Sequence, residues 1–169
     1  QITKITNEAV FYAPEEDEIL PKFDHFFQKE NTIFVAHNAN FDYSFILEAY
    51  KRANIASFNP PILDTLKLAR KIFPENQKKG VSSLANLFGI KIRNRHSAIG
   101  DAKATAKILI YLLELLEDEY DIETVEDLLS FQNKKSQHYI SKLSDYELFE
   151  NKLKIIPEEP GVYYFYNSR

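Results

Sequence analysis

The stretch TIFVAHNANFDYSFILEAYKRA, residues 32–53, decides the fold class of this chain. Residues 32–37 are mostly β-branched, aromatic or small, which predicts a short buried strand. A very short turn follows, and residues 40–53 then have the apolar spacing of a helix. The side chains predicted to form its apolar face are Phe41, Phe45, Ile46, Ala49 and Tyr50. A strand, a tight turn and a helix in this order indicate an α/β fold.

The same order recurs in PPILDTLKLARKIF, residues 60–73, which predicts a strand ending at Asp64 and a helix running to Phe73. Before the first strand, residues 13–30 predict an amphipathic helix, because Pro14 and several acids precede apolar residues at helical spacing. The alternation of helices and short strands therefore extends on both sides of the deciding stretch.

Two further helices are predicted downstream. Residues 82–89, SSLANLFG, predict a short helix with Gly89 just after its end, where glycine often terminates helices. A longer helix is predicted from about residue 98 to residue 116, with an apolar stripe of Leu109, Leu112, Leu113 and Leu116. The chain then becomes acidic and polar, which predicts a domain boundary near residues 117–135.

The composition excludes several classes of protein. The chain has 169 residues, of which 44% are hydrophobic and 27% charged, enough for one main domain with a smaller appended segment. It has no cysteine, so disulfides and thiolate sites are excluded and a metal would need oxygen or imidazole ligands. No apolar run reaches the roughly 20 residues that span a bilayer. We expect a soluble, cytoplasmic protein with no membrane partner.

Charge is unevenly distributed along the chain. Between Asp64 and Lys107 there are ten Lys or Arg and three Asp or Glu, a net charge of +7, whereas the remainder carries −11. This segment would attract an anionic partner such as nucleic acid, although a solvated surface rich in lysine is the ordinary alternative.

Two acids and one histidine stand out within this pattern. Asp42 follows the first strand-to-helix turn, and Asp101 lies in the first turn of the last helix, five residues after His96. Each has an ordinary alternative, since acids stabilise helix starts and a lone histidine is usually a surface or capping residue. Together, two carboxylates at helix starts and an imidazole, in a basic surround without thiols, suit metal-assisted hydrolysis of a phosphodiester.

Two of these stretches resemble a known family. Residues 35–46, VAHNANFDYSFI, resemble the second motif of the DEDDh exonucleases, the family of the proofreading epsilon subunit of bacterial DNA polymerase III, and residues 96–105, HSAIGDAKAT, resemble the third. Residues 2–10 and 62–70 fit the same family, so that the resemblance spans roughly residues 2–116. It implies a ribonuclease-H-like fold, in which helices flank a mixed sheet of five strands.

The resemblance also implies roles for individual residues. Asp42 and Asp101 would be ligands of Mg²⁺ or Mn²⁺ in a two-metal site, and His96 would be the general base. The side chains expected to contact substrate are Asn38, Phe41, Lys79, Arg93 and Arg95. The roles of two further residues stay open. His37 fits a structural role as well as a functional one, and Asp64 fits a structural role better than a substrate role.

One part of the family pattern is missing. Its first motif, Asp-x-Glu on the first strand, supplies two more carboxylates, and no such pair precedes residue 42. The pairs Asp121 with Glu123 and Asp145 with Glu147 lie beyond the last predicted domain helix and are rejected. We therefore expect the first strands to lie upstream in a longer protein and this chain alone to be inactive or weakly active.

The C-terminal residues resemble a second nuclease family. Residues 153–167, LKIIPEEPGVYYFYN, are similar to the entry strand of a GIY-YIG nuclease domain of the excinuclease type, with Tyr163 as a candidate site residue. An ordinary Pro-Gly turn into a strand is the alternative. The predicted organisation is an N-terminally incomplete exonuclease domain at 1–116, a helical acidic linker at 117–151 and the start of a GIY-YIG domain at 152–169.

The function expected from these observations is metal-dependent 3′–5′ exonuclease activity on DNA, which releases nucleoside monophosphates. The expected partners are single-stranded or 3′-terminal DNA and the replicative polymerase or repair machinery. Three alternatives stay open: a 3′-end exonuclease of RNA, a catalytically incomplete module that binds nucleic acid beside a second nuclease, and a structural α/β domain.

Overall fold

The computed structural model of this chain describes residues 5–29, 31–55, 58–74, 78–93 and 97–134. The elements, in chain order, are α1 (Asn7–Phe11), α2 (Glu16–Phe27), β1 (Phe34–Ala36), α3 (Ala39–Arg52), β2 (Ile62–Asp64), α4 (Thr65–Ile72), α5 (Val81–Leu87), α6 (Ala98–Tyr120) and α7 (Val125–Asn133). Within these ranges, no helix is both long enough and apolar enough to cross a membrane.

The two strands form a parallel pair, with Phe34 opposite Ile62 and Ala36 opposite Asp64. Since α3 connects them, both strands end at the same edge of the sheet, and α3 and α4 begin there. The predicted strands, the helices that follow them and the α/β class are confirmed. Within the described ranges the sheet consists of this pair, whereas the family resemblance implied five strands.

One hydrophobic core is built around an aromatic ring. Phe58 is only 3% exposed, and the rings that surround it, with centroids 4.8–5.8 Å away, are those of Phe23, Phe27, Phe34, Tyr43 and Tyr50. These residues come from α2, β1 and α3, so the cluster fixes α3 against the sheet.

The second core lies between β2 and the four helices from α4 to α7. Leu63 of β2 and Leu112 of α6 are fully buried in it. Gly89 follows α5 with φ +66°, as its predicted position after the helix requires. This core fixes the start of α4 and the long helix α6 against β2.

The predicted apolar face of α3 is wrong in part. Phe41 and Phe45 are 61% and 63% exposed, whereas Ile46, Ala49 and Tyr50 pack in the aromatic core as expected. Since each residue turns a helix by about 100°, Phe41 and Phe45 lie outside the arc that faces Phe58. Their helical spacing made them resemble core residues, but they belong to the solvent-facing side.

The last two helices extend beyond the expected end of the domain. The sequence predicts an end of α6 near residue 116, but the helix continues to Tyr120, after which Asp121 adopts a left-handed conformation with φ 52°. In α7, Leu128 and Phe131 are buried in the second core. Residues 117–134 therefore pack with the preceding helices, while the proposed domain limits stay a prediction.

We expect Phe58→Ala to lower the free energy of unfolding by about 3 to 5 kcal/mol, since it empties the centre of the aromatic core. The matched variant Phe45→Ala removes the same ring from a solvent-exposed position and should change it by less than about 0.5 kcal/mol. Chemical denaturation followed by circular dichroism measures both. Similar losses in the two variants would contradict the exposure of Phe45.

Candidate functional site

The turn between β1 and α3 is held by a carboxylate from the neighbouring strand. Asn38 begins α3 in a left-handed conformation, φ 68° and ψ 52°, which asparagine adopts more readily than most residues. Its backbone N–H donates to Asp64 Oδ1 at 2.9 Å. The same oxygen accepts from the backbone N–H of Leu66, also at 2.9 Å, and so caps α4. One carboxylate thereby ties the starts of two helices together.

The backbone around Asp64 is also held by hydrogen bonds, from a side chain of α7. Asp64 is 4% exposed, and its N–H donates to Oε1 of Gln132 in α7 at 3.0 Å. The Nε2 of Gln132 donates to the Ile62 carbonyl at 2.6 Å. These contacts support the structural interpretation of Asp64.

His37 lies in the same junction, by which we mean the ends of β1 and β2 and the starts of α3 and α4 that the Asp64 carboxylate holds together. Its Nδ1 is 2.9 Å from Thr65 Oγ1, and its Nε2 is buried. Burial lowers the pKa of His37. The negative charge of Asp64 and a hydrogen bond with the backbone of Lys79 act in the opposite direction, but their effect is smaller. The neutral imidazole is favoured, which suits a residue that packs between β1 and α4.

The predicted residues of the second motif share the beginning of α3. Asn38, Phe41 and Asp42 are all exposed at this helix start, at the carboxyl end of β1. The ring of Phe41 contacts only one other described ring, that of Phe45, at a centroid distance of 4.9 Å. The structure therefore brings these three side chains to the surface where ligands of α/β proteins usually bind.

Asp101 is half-buried in the first turn of α6. Ser97 caps this helix by accepting from the Gly100 N–H at 3.1 Å, and the Asp101 N–H donates to the Ser97 carbonyl at 3.0 Å. Asp42 occupies the matching place in α3, so both acids lie at the positive ends of helix dipoles. This is the arrangement expected from the sequence for each acid taken separately.

The remaining predicted site residues do not lie on the start of α3. Lys79 is half-buried and its Nζ lies 3.4 Å from the Pro74 carbonyl, while Arg93 is exposed after α5. Arg95, His96 and Tyr163 lie outside the described residues. The roles predicted for all five residues stay predictions.

The donor chemistry fits a hard divalent cation only in part. Carboxylates such as those of Asp42 and Asp101 suit Mg²⁺ or Mn²⁺. Among the residues that the structure describes, however, no three His, Asp or Glu side chains come together as a metal site. The described chain thus offers candidate ligands without a complete ligand set.

Comparison with known proteins assigns the fold. A family model described as exonuclease matches residues 1–109, which include the turn, both helix-start acids and the strand pair. The chain belongs to the exonuclease family. The predicted family and the ribonuclease-H-like class are thereby confirmed, and α7 lies beyond the matched residues.

The relatives of this exonuclease chain are much longer proteins. A protein described as DNA polymerase III PolC-type from Clostridium perfringens is 39% identical over 128 residues, 76% of this chain and 9% of that protein. The PolC-type protein of Caldanaerobacter subterraneus subsp. tengcongensis is also 39% identical, over 77% of this chain and 9% of its own length. That of Staphylococcus saprophyticus is 31% identical over 99% of this chain and 12% of its own length. The chain spans about a tenth of these relatives.

Sequence reasoning missed two residues of the junction. Thr65 follows Asp64 directly, and an acid before an apolar helix is a known capping signal, so the local sequence does indicate that a helix begins at Thr65. Gln132 carries no such signal, because it lies 68 residues from Asp64 in a segment that the sequence predicts to be a linker.

We expect Asp64→Ala to lower the free energy of unfolding by about 1 to 3 kcal/mol, because it leaves two backbone N–H groups without their acceptor. Asp118→Ala, which removes an exposed acid from α6, is the matched control and should change it by less than about 0.5 kcal/mol. Urea denaturation measures both, and equal stabilities of the two variants would rule out the proposed tie.

Since burial lowers the pKa of His37, the unfolded chain binds more protons than the folded chain between that lowered value and the unfolded pKa of about 6.5. The free energy of unfolding should therefore rise as the pH is raised through this window and level off above it. Urea denaturation at a series of pH values checks this. His37→Gln should flatten the rise, whereas His25→Gln, at an exposed position of α2, should preserve it.

Proposed function

We propose that this chain is the nuclease part of a metal-dependent 3′–5′ exonuclease that acts on DNA and releases nucleoside monophosphates. The observation that carries the proposal is the tied turn at the carboxyl end of β1, which presents Asn38, Phe41 and Asp42 to solvent within an exonuclease-family chain. The basic segment between Asp64 and Lys107 supports a polyanionic substrate.

In this proposal Asp42 and Asp101 hold Mg²⁺ or Mn²⁺ together with further carboxylates that the described residues do not supply. When bound, the metal stabilises negative charge on the phosphate oxygens. A ring nitrogen of His96 takes the proton from the attacking water, for which an imidazole with a pKa near neutrality is suited.

The proposed substrate contacts are those that the sequence predicts. Asn38 offers a side-chain amide to the terminal nucleotide, and the exposed ring of Phe41 stacks on its base. Lys79, Arg93 and Arg95 track the phosphate backbone, so binding weakens as salt is added. DNA as the substrate and a DNA polymerase as partner agree with relatives that are described as DNA polymerase III PolC-type.

A second candidate is a module that binds nucleic acid without cleaving it. It is favoured by one observation, the lack of a group of three candidate ligands among the described side chains. Digestion of a 5′-labelled single-stranded DNA separates the two functions, with Mg²⁺ or Mn²⁺ present and with a chelator as control. The chain is compared with a form extended upstream in its own reading frame.

Stepwise shortening from the 3′ end by the extended form, and its loss with the chelator, supports the exonuclease. Retention of DNA at low salt without digestion by either form supports the binding module. Faster digestion of the corresponding RNA would overturn DNA as the preferred substrate.

In the form that digests DNA, we expect His96→Ala to lower the rate by about 10² to 10⁴-fold, because positioned proton transfer contributes about this much. His25→Ala is the matched control at an exposed position of α2 and should leave the rate unchanged. Circular dichroism verifies that both variants are folded. A rate unaffected by His96→Ala would remove His96 from the mechanism.

A further inference from the structure

The buried side chain of Gln132 occupies a sheet edge. The Pro61 carbonyl accepts from Phe34 N–H of β1 at 2.8 Å, so the Ile62 carbonyl and the Asp64 N–H point towards the opposite edge of β2. Gln132, which is 6% exposed, bonds both groups through its one side-chain amide. Its amide thus accepts one hydrogen bond and donates another at this edge, as the backbone of a further strand would.

The bond to Asp64 leads directly to the candidate site. The carboxylate of Asp64 holds the N–H of Asn38, the residue whose left-handed conformation starts α3. Gln132 holds the backbone of the same aspartate from the other side. The turn that presents Asp42 is therefore linked to α7 through two consecutive hydrogen bonds.

Helix α7 is itself firmly placed. Leu128 and Phe131 are buried beside β2 and α4. The Nζ of Lys71 lies 5.2 Å from the centroid of the Phe131 ring and donates a hydrogen bond to the carbonyl of Lys134, the residue that follows α7. The amide of Gln132 thus comes from a packed helix and not from a loose side chain.

We propose that Gln132 is a positioning residue of the nuclease site. By completing the edge of β2 it fixes Asp64, and through Asp64 it sets the turn that directs Asn38, Phe41 and Asp42. The consequence for catalysis rests on the proposed exonuclease function, whereas the coupling between α7 and the turn does not. α7 lies outside the part of the chain that the family model matches, so the site depends on a helix beyond residue 109.

Amide hydrogen exchange of the 169-residue chain tests the coupling. In Gln132→Leu, protection of the Asn38 and Leu66 amides should fall on the order of tenfold more than protection of amides inside α6. Two controls are matched to it. Asn133→Ala alters the exposed neighbour on the same helix, and Ile108→Val lowers overall stability from a buried position in α6.

A uniform loss of protection in Gln132→Leu, equal to that of Ile108→Val at the same melting temperature, would overturn the proposal, because Gln132 would then be merely structural. If Gln132→Leu does not fold, Gln132→Met, which is closer to glutamine in shape and likewise lacks the amide, is measured in its place with the same criterion.

The DNA-digesting form gives the functional readout. Gln132→Leu should lower kcat more than it raises KM, since the misplaced turn would affect Asp42 after substrate has bound. A selective loss of protection at Asn38 with unchanged kcat would overturn the role in catalysis. If no form digests DNA but the selective loss is present, the proposed function fails and the coupling holds.

Discussion

The rest of the structure depends on one carboxylate oxygen, Oδ1 of Asp64, which accepts two backbone N–H groups. Parallel strands place their ends side by side, but the helices that begin there leave backbone donors that need acceptors. Asp64 satisfies one donor from each helix. Because this buried acceptor is shared, the start of α3 is hydrogen-bonded to the same carboxylate as the start of α4.

The two cores act on this junction from different sides. The aromatic cluster around Phe58 positions α3 by its inner face and leaves the opposite face, with Phe41 and Phe45, in solvent. The aliphatic core positions α4, α6 and α7 against β2. The packed cores thus support the exposed start of α3, which carries Asp42, and the start of α6, where Asp101 is half-buried. Packed elements that hold polar residues at helix starts are usual in α/β enzymes.

Local patterns in the sequence were enough to predict both strands and the helices from α2 to α6, but not the short helix α1 or the bounds of α7. The strands, the helices after them and the glycine that ends α5 each follow from periodicity or turn chemistry within about ten residues. The exposure of Phe45 was not predictable in this way, because spacing identifies a face but not the neighbour that covers it. Gln132 was missed for a related reason, since its partners are brought close only by the tertiary fold. The positions of Asp42 and Asp101 at helix starts were predictable because a helix start is itself a local signal.

The separation of 70 residues between Ile62 and Gln132 has a consequence for synthesis on the ribosome. Residues emerge in order, so β1, α3 and β2 leave the exit tunnel well before α7 does. Until then one edge of β2 has no partner amide, and such an edge invites pairing with other nascent chains. The turn between β1 and α3 would therefore acquire its full set of contacts only after α7 has emerged, and a pause in translation before residue 132 would prolong the aggregation-prone interval.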